Sequence, residues 1–136
     1  MGKVLLIGFG PAEVEAIRDS LGGLDVFEVP EYCRDWVVSE VVERAEELSG
    51  SSQWHLRKFV IMHGLDNETL KGVIKAVKML NPGRVIFATT TETALTWKLE
   101  DYLEELMAED EYFQAMRWAR KEASQRKGPF LDIGKG

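Results

Sequence analysis

Val4-Leu5-Leu6-Ile7 is an unbroken apolar run that meets Gly8-Phe9-Gly10-Pro11 and then a helical pattern. A strand without polar alternation is buried on both faces, and such strands belong to parallel sheets covered by helices. Pro11 suits the first turn of a helix, and Glu13 and Glu15 lie near its positive end. Val14, Ile17 and Leu21 recur at helical spacing, and Gly22-Gly23 stops the helix. The chain therefore opens as a strand-helix unit. In sheets of this kind, ligands sit beyond the carboxyl ends of the strands.

The alternation continues. Leu24 to Val29 reads as a second strand closed by Pro30. Asp35 is the expected N-cap of a second helix through Leu48, with Val38, Val41, Val42, Ala45 and Leu48 inward. Ser49-Gly50-Ser51-Ser52-Gln53 reads as a loop. Arg57 to His63 forms a third strand. Asp66 caps a third helix through Leu80, ended by Asn81-Pro82-Gly83. Arg84 to Thr89 is the fourth strand. From Thr93 to Ser124 the pattern is helical, as two helices or one bent near Glu109-Asp110-Glu111. No internal repeat and no low-complexity segment stands out.

Strand-helix alternation with short connections predicts an α/β fold. The expected sheet is four-stranded and parallel, in the flavodoxin-like order 2-1-3-4. Helices lie on both faces, with an extra C-terminal helix. Residues 1–127 form the expected single domain, 110–127 being a helix that can protrude, and 128–136 a flexible tail. With 136 residues, such a domain buries roughly 65% of its unfolded surface, enough to fold without staples.

Charge and cysteine usage narrow the partners. The net charge of −6 opposes nonspecific nucleic-acid binding and anionic membranes. Cys33 is the single cysteine, which fits a reducing, cytoplasmic setting. The opening apolar run is too short for a signal peptide or a membrane span.

The chemistry-bearing motifs are incomplete. Gly8-Phe9-Gly10-Pro11-Ala12-Glu13 begins like a dinucleotide fingerprint. However, Glu13 stands where close packing wants Gly or Ala, and Pro11 removes a phosphate-binding N–H. No Gly-Lys-Ser/Thr occurs, so there is no P-loop. Receiver chemistry wants acids at the end of the first strand, where Gly8, Phe9 and Gly10 stand. His63 ends strand three, and Thr89-Thr90-Thr91 follow strand four. With strands one and three adjacent, Gly10, His63, Asp66, Thr90 and Thr91 line one expected ligand-binding crevice for a small anion or metabolite. The simpler reading makes Thr91 or Thr93 the cap of the next helix, Asp66 the cap of the third, and His63 a hydrogen-bonded structural residue. Cys33 is expected to be buried and inert rather than a reactive thiol at a helix start. No catalytic set, metal cluster or cofactor motif emerges, so the balance leans away from an enzyme.

The C-terminal quarter carries the other signal. Residues 100–111 hold seven acids, whereas residues 117–127 hold five Lys or Arg. Tyr112, Phe113, Met116 and Trp118 are large apolar groups on that helix and form an expected interface. Opposite charges suit antiparallel pairing between two copies, giving a homo-oligomer. Arg117, Arg120, Lys121, Arg126 and Lys127 are the only support for a nucleic-acid partner. The function these features favour is a non-enzymatic binding or regulatory module that self-associates through its C-terminal helices. The alternative is a small-ligand or anion site at the sheet edge.

Thr91-Glu92-Thr93, Trp97-Lys98-Leu99, Leu103-Glu104-Glu105-Leu106 and Glu109 resemble the C-terminal signature of a small family known as a domain of unknown function. That signature reads Thr-Pro-Thr-Asn, then Trp-Thr-Leu, then a Glu-rich amphipathic helix. Gly64-Leu65-Asp66-Asn67-Glu68 and the preceding apolar strand are similar as well. The resemblance covers roughly residues 58–109. Glu92 and Ala94 depart from it, replacing the proline and the asparagine. It implies a small α/β domain and assigns no activity.

Overall fold

The computed structural model describes residues 2–135, with side chains through Glu122. The element order is β1 (Lys3–Ile7), α1 (Pro11–Ser20), β2 (Asp25–Glu28), α2 (Val38–Glu43), β3 (Lys58–His63), α3 (Asn67–Met79), β4 (Val85–Thr89) and α4 (Leu99–Lys135). Short 3₁₀ turns at Glu31–Cys33, Ala45–Glu47 and Ala94–Thr96 complete it. Residues 1–103 and 104–136 form two compact units. The tail expected over 128–136 lies where side chains are outside the described residues.

The sheet has the expected order, β2-β1-β3-β4, but it is mixed rather than parallel. β1 pairs parallel with β2, and β3 parallel with β4. The central pair is antiparallel, with Lys3 opposite His63 and Ile7 opposite Phe59. The cause is the segment expected to be a plain loop. Ser52 is fully buried, and its carbonyl accepts from the Gly8 N–H at 2.6 Å. Its hydroxyl lies 3.1 Å from the Phe9 carbonyl and 3.0 Å from the Glu28 carboxylate. The Trp54 indole N–H donates to the Val29 carbonyl at 2.8 Å. Residues 52–54 are thereby latched at the carboxyl ends of β1 and β2. β3 starts where β1 finishes and must run back along it.

Strand alternation sends neighbouring side chains to opposite faces. Val4, Leu6, Val60 and Met62 pack with Val14, Ile17 and Leu21 from the α1 segment and with Val73 and Val77 of α3. The other face carries Leu5, Ile7, Phe59 and Ile61, all at 1% exposure or less. α2 covers that face beside β1, since the Lys3 ammonium reaches the Val42 carbonyl at 2.6 Å. The start of α4 joins α2 through a Val37–Lys98 bridge. Two further backbone bonds cross there, the Val38 N–H to the Trp97 carbonyl and the Leu99 N–H to the Trp36 carbonyl, each 2.8 Å.

Local boundaries shift for identifiable reasons. Asp35 is not a helix N-cap: a 3₁₀ turn precedes it, and α2 starts only after Val37. The strand-like bridge at Val37 uses the backbone that an earlier start would need. For the same reason α4 starts at Leu99, not Thr93, after its own 3₁₀ turn and the bridge at Lys98. α4 is then continuous through the acidic run, as one helix.

Candidate functional site

The five expected ligand-binding residues do not share a crevice. Because β1 and β3 run in opposite directions, Gly10 lies at one end of the sheet. His63, Asp66, Thr90 and Thr91 follow the carboxyl ends of β3 and β4 at the other. The expected crevice assumed parallel neighbours, which would bring those ends together, and the antiparallel centre separates them.

At the Gly10 end, the strand-helix turn is closed by side chains rather than left open for phosphate. The Glu13 carboxylate accepts from the Gly10 N–H at 3.0 Å and from the Lys58 ammonium at 2.6 Å. Lys58 also donates to the Pro82 carbonyl at 2.6 Å. Burial pushes the Glu13 carboxyl up, but Lys58 and the Gly10 N–H outweigh it and hold the group below its usual value. A carboxylate at this N-terminus occupies the position an anionic ligand would need.

At the other end, His63 and Thr90 meet: Nδ1 and Oγ1 are 2.7 Å apart. Burial lowers the His63 pKa from its ordinary 6.5, and the Lys3 ammonium, paired across the strands, lowers it further. The imidazole is therefore neutral near pH 7, with one nitrogen engaged by the threonine. Asp66 is the N-cap of α3, whereas Thr91 precedes the 3₁₀ turn whose N-cap is Thr93 and caps no α-helix. The Asp66 carboxylate accepts from the Thr69 N–H at 2.8 Å, and the Thr91 hydroxyl accepts from the Ala94 N–H at 3.1 Å. Of the five expected site residues, His63 and Thr90 are the two whose side chains meet.

The two histidines fix an expected pH response. Burial also lowers the His55 pKa, and its Nδ1 accepts from the Arg57 N–H at 3.0 Å. A depressed histidine pKa means that the unfolded chain binds more protons below about pH 6.5, so stability is full above that range and falls as the pH drops through it. The carboxylates of Glu13 and Asp66, both lowered, add a further loss near about pH 4. Urea midpoints measured from about pH 8 down to about pH 5 should hold and then decline, with a smaller decline in His63→Gln. A flat profile across that range would contradict the burial of both rings.

Cys33 is fully buried. Burial pushes its thiol up to about 11, with the Glu40 carboxylate adding to the effect. It stays protonated and is no nucleophile.

The expected interface residues are exposed: Tyr112 61%, Phe113 59%, Met116 39% and Trp118 68%. The Tyr112 and Phe113 rings contact edge-on, 5.8 Å apart. At about 100° per residue, Tyr112, Phe113 and Met116 share one side of α4 while Trp118 projects from another. A shallow groove of ≈ 410 Å³ lies on α3 instead, lined by Lys71, Ile74, Lys75, Lys78 and Met79. It includes none of the expected site residues.

Ser52 and Trp54 are the positions that sequence reasoning missed. Small polar residues in a Ser/Gly-rich stretch signal a solvated loop, and nothing in that pattern marks one serine as buried. Among the described residues, no group of three His, Cys, Asp or Glu is placed to hold a metal ion. Among them also, no helix is long and apolar enough to cross a membrane.

Residues 58–113 match the model of a family described as Domain of unknown function (DUF3783). That span includes the residues on which the resemblance rests. No curated protein and no solved structure matches the chain.

Proposed function

We propose that this protein is a non-enzymatic binding or regulatory module of the cytoplasm that self-associates through α4. The observation that carries this reading is the exposed Tyr112-Phe113-Met116 side of the helix. It follows the acidic span Glu100 to Glu111 and precedes the basic span Arg117 to Lys127. Laid antiparallel on a second copy, each acidic span meets a basic one across an apolar centre. The apolar groups supply most of the affinity and the charges set the direction, since exposed ion pairs contribute little.

Sedimentation equilibrium of the full chain tests it. The natural protein should sediment above the monomer mass. The Tyr112→Ser/Phe113→Ser/Met116→Ser chain should associate roughly tenfold or more weakly, with an unchanged circular dichroism spectrum. A natural chain that is monomeric at about 100 μM, or a variant that assembles equally well, would remove this reading.

A second reading, a small-ligand or anion site at the β3/β4 edge, rests on the His63–Thr90 contact. A neutral imidazole and a hydroxyl suit a polar, uncharged group better than a phosphate, especially with Asp66 at the neighbouring helix start.

A further inference from the structure

We infer that the chain contains two copies of one module, paired as the two subunits of a homodimer would be. Residues 3–42 form a second copy of the unit whose other copy, 59–103, lies within the family match. The reading is independent of self-association through α4.

The strands provide the first observation. In an isologous pair, a contact from i to j implies the reciprocal contact from j to i. Superposing β1 on β3 with Lys3 over Phe59 and Ile7 over His63 makes the central pairing its own mirror: Lys3 opposite His63 exchanges with Ile7 opposite Phe59, and Leu5 opposite Ile61 lies on the axis. The same superposition carries the Lys3–Asp25 register of the first parallel pair onto Phe59–Ile86 of the second.

The connections follow the same rule. The Val29 N–H donates to Leu6 and the Thr90 N–H to Met62, each at 3.0 Å. Gly8 and Gly64 both take positive φ after their strands, +89° and +69°. Gly10 and Asp66 are the N-caps that follow, with φ/ψ of −79°/167° and −75°/169°. Ile17 corresponds to Val73 and Leu21 to Val77, all buried. α3 is longer, 13 residues against 10.

Across the axis, the Val38 N–H to Trp97 carbonyl bond exchanges with the Leu99 N–H to Trp36 carbonyl bond at the same 2.8 Å. Trp36-Val37-Val38-Ser39-Glu40-Val41-Val42 thereby lies over Trp97-Lys98-Leu99-Glu100-Asp101-Tyr102-Leu103. The third, sixth and seventh positions are buried in both. Tryptophan opens both segments and an acid holds the fifth position. This is the internal repeat that the sequence does not show by itself: hydrophobic replacements hide it, and the helices differ in length.

The test exchanges the two segments within the full chain. One side is Val37→Lys, Val38→Leu, Ser39→Glu, Glu40→Asp, Val41→Tyr and Val42→Leu. The other is Lys98→Val, Leu99→Val, Glu100→Ser, Asp101→Glu, Tyr102→Val and Leu103→Val. The Tyr102 hydroxyl donates to the Thr89 carbonyl at 3.1 Å, and Glu28 is the equivalent position in the other copy. The exchanged chain should unfold cooperatively within about 10 °C of the natural midpoint. The same exchange displaced by one residue should not fold. An exchanged chain no more stable than the displaced control overturns the inference. A second measurement uses the unmodified protein: hydrogen-exchange protection of the Val29 and Thr90 amides, and of Val38 and Leu99, should agree within roughly tenfold in each pair. Pairs that differ by more than that also overturn it.

Discussion

Phe59→Ala is expected to cost about 4 kcal/mol of folding stability, a large share of what a domain of this size possesses. Phe59 is fully buried on the central strand β3. It faces Ile7 across the antiparallel pairing and Ile86 across the parallel one. The His55 ring meets it edge-on at 5.0 Å. Truncation removes the transfer energy of the ring and leaves a void beside Ile7, Ile86 and the His55 ring, on a strand held by hydrogen bonds on both sides, which relaxes poorly. Leu56, three residues earlier, is fully exposed, and Leu56→Ala should change stability by less than about 0.5 kcal/mol. Urea unfolding of both variants measures the contrast. A Phe59→Ala loss below about 1 kcal/mol would mean that the ring is not in this core.

Gly8→Ala should lose about 3 kcal/mol or more, for a backbone reason. Gly8 has φ +89°, which a Cβ disfavours by roughly 1–2 kcal/mol. An added Cβ would also collide with the Arg57 carbonyl, a backbone group that cannot rotate aside. Relief requires moving β3 away from β1. That loosens the Gly8 N–H to Ser52 bond, and a buried donor left unpaired costs about 1–3 kcal/mol more. Gly23 provides the control: its φ is +95°, with open space where the Cβ would go. Gly23→Ala should therefore cost only the backbone share, roughly 1–2 kcal/mol. Equal midpoints for the two variants would show that the close approach at Gly8 contributes nothing.

The strands and the inward stripes of α1 and α2 were legible in the sequence because each rests on local periodicity, whereas the order 2-1-3-4 followed from the flavodoxin-like alternation of strands and helices. The direction of β3 was not. It depends on whether the connection after α2 crosses the sheet once or returns, and that is decided by Ser52 and Trp54 reaching Phe9, Glu28 and Val29. These contacts span long sequence separations and leave no trace in local pattern. The candidate site inherited that gap, because a crevice joining Gly10 to His63 exists only if the strands are parallel. The capping role of Asp66 could be read beforehand, because a cap is a local event. The His63–Thr90 contact could be anticipated only as far as both residues end adjacent strands.

An antiparallel centre also changes what substitutions can do. In a pair of identical subunits, every replacement occurs twice, once at each end. Within a single chain whose two halves oppose each other, each end can change independently. Ile7, Val29 and Gly10 stand at one end, sealed by Ser52 and Trp54. His63, Thr90 and Asp66 stand at the corresponding positions of the other. The same backbone is satisfied by apolar residues in one place and by a titratable, hydrogen-bonded set in the other. The polar set is therefore not a requirement of the architecture, and the chain is free to specialise one end while the other holds the fold together.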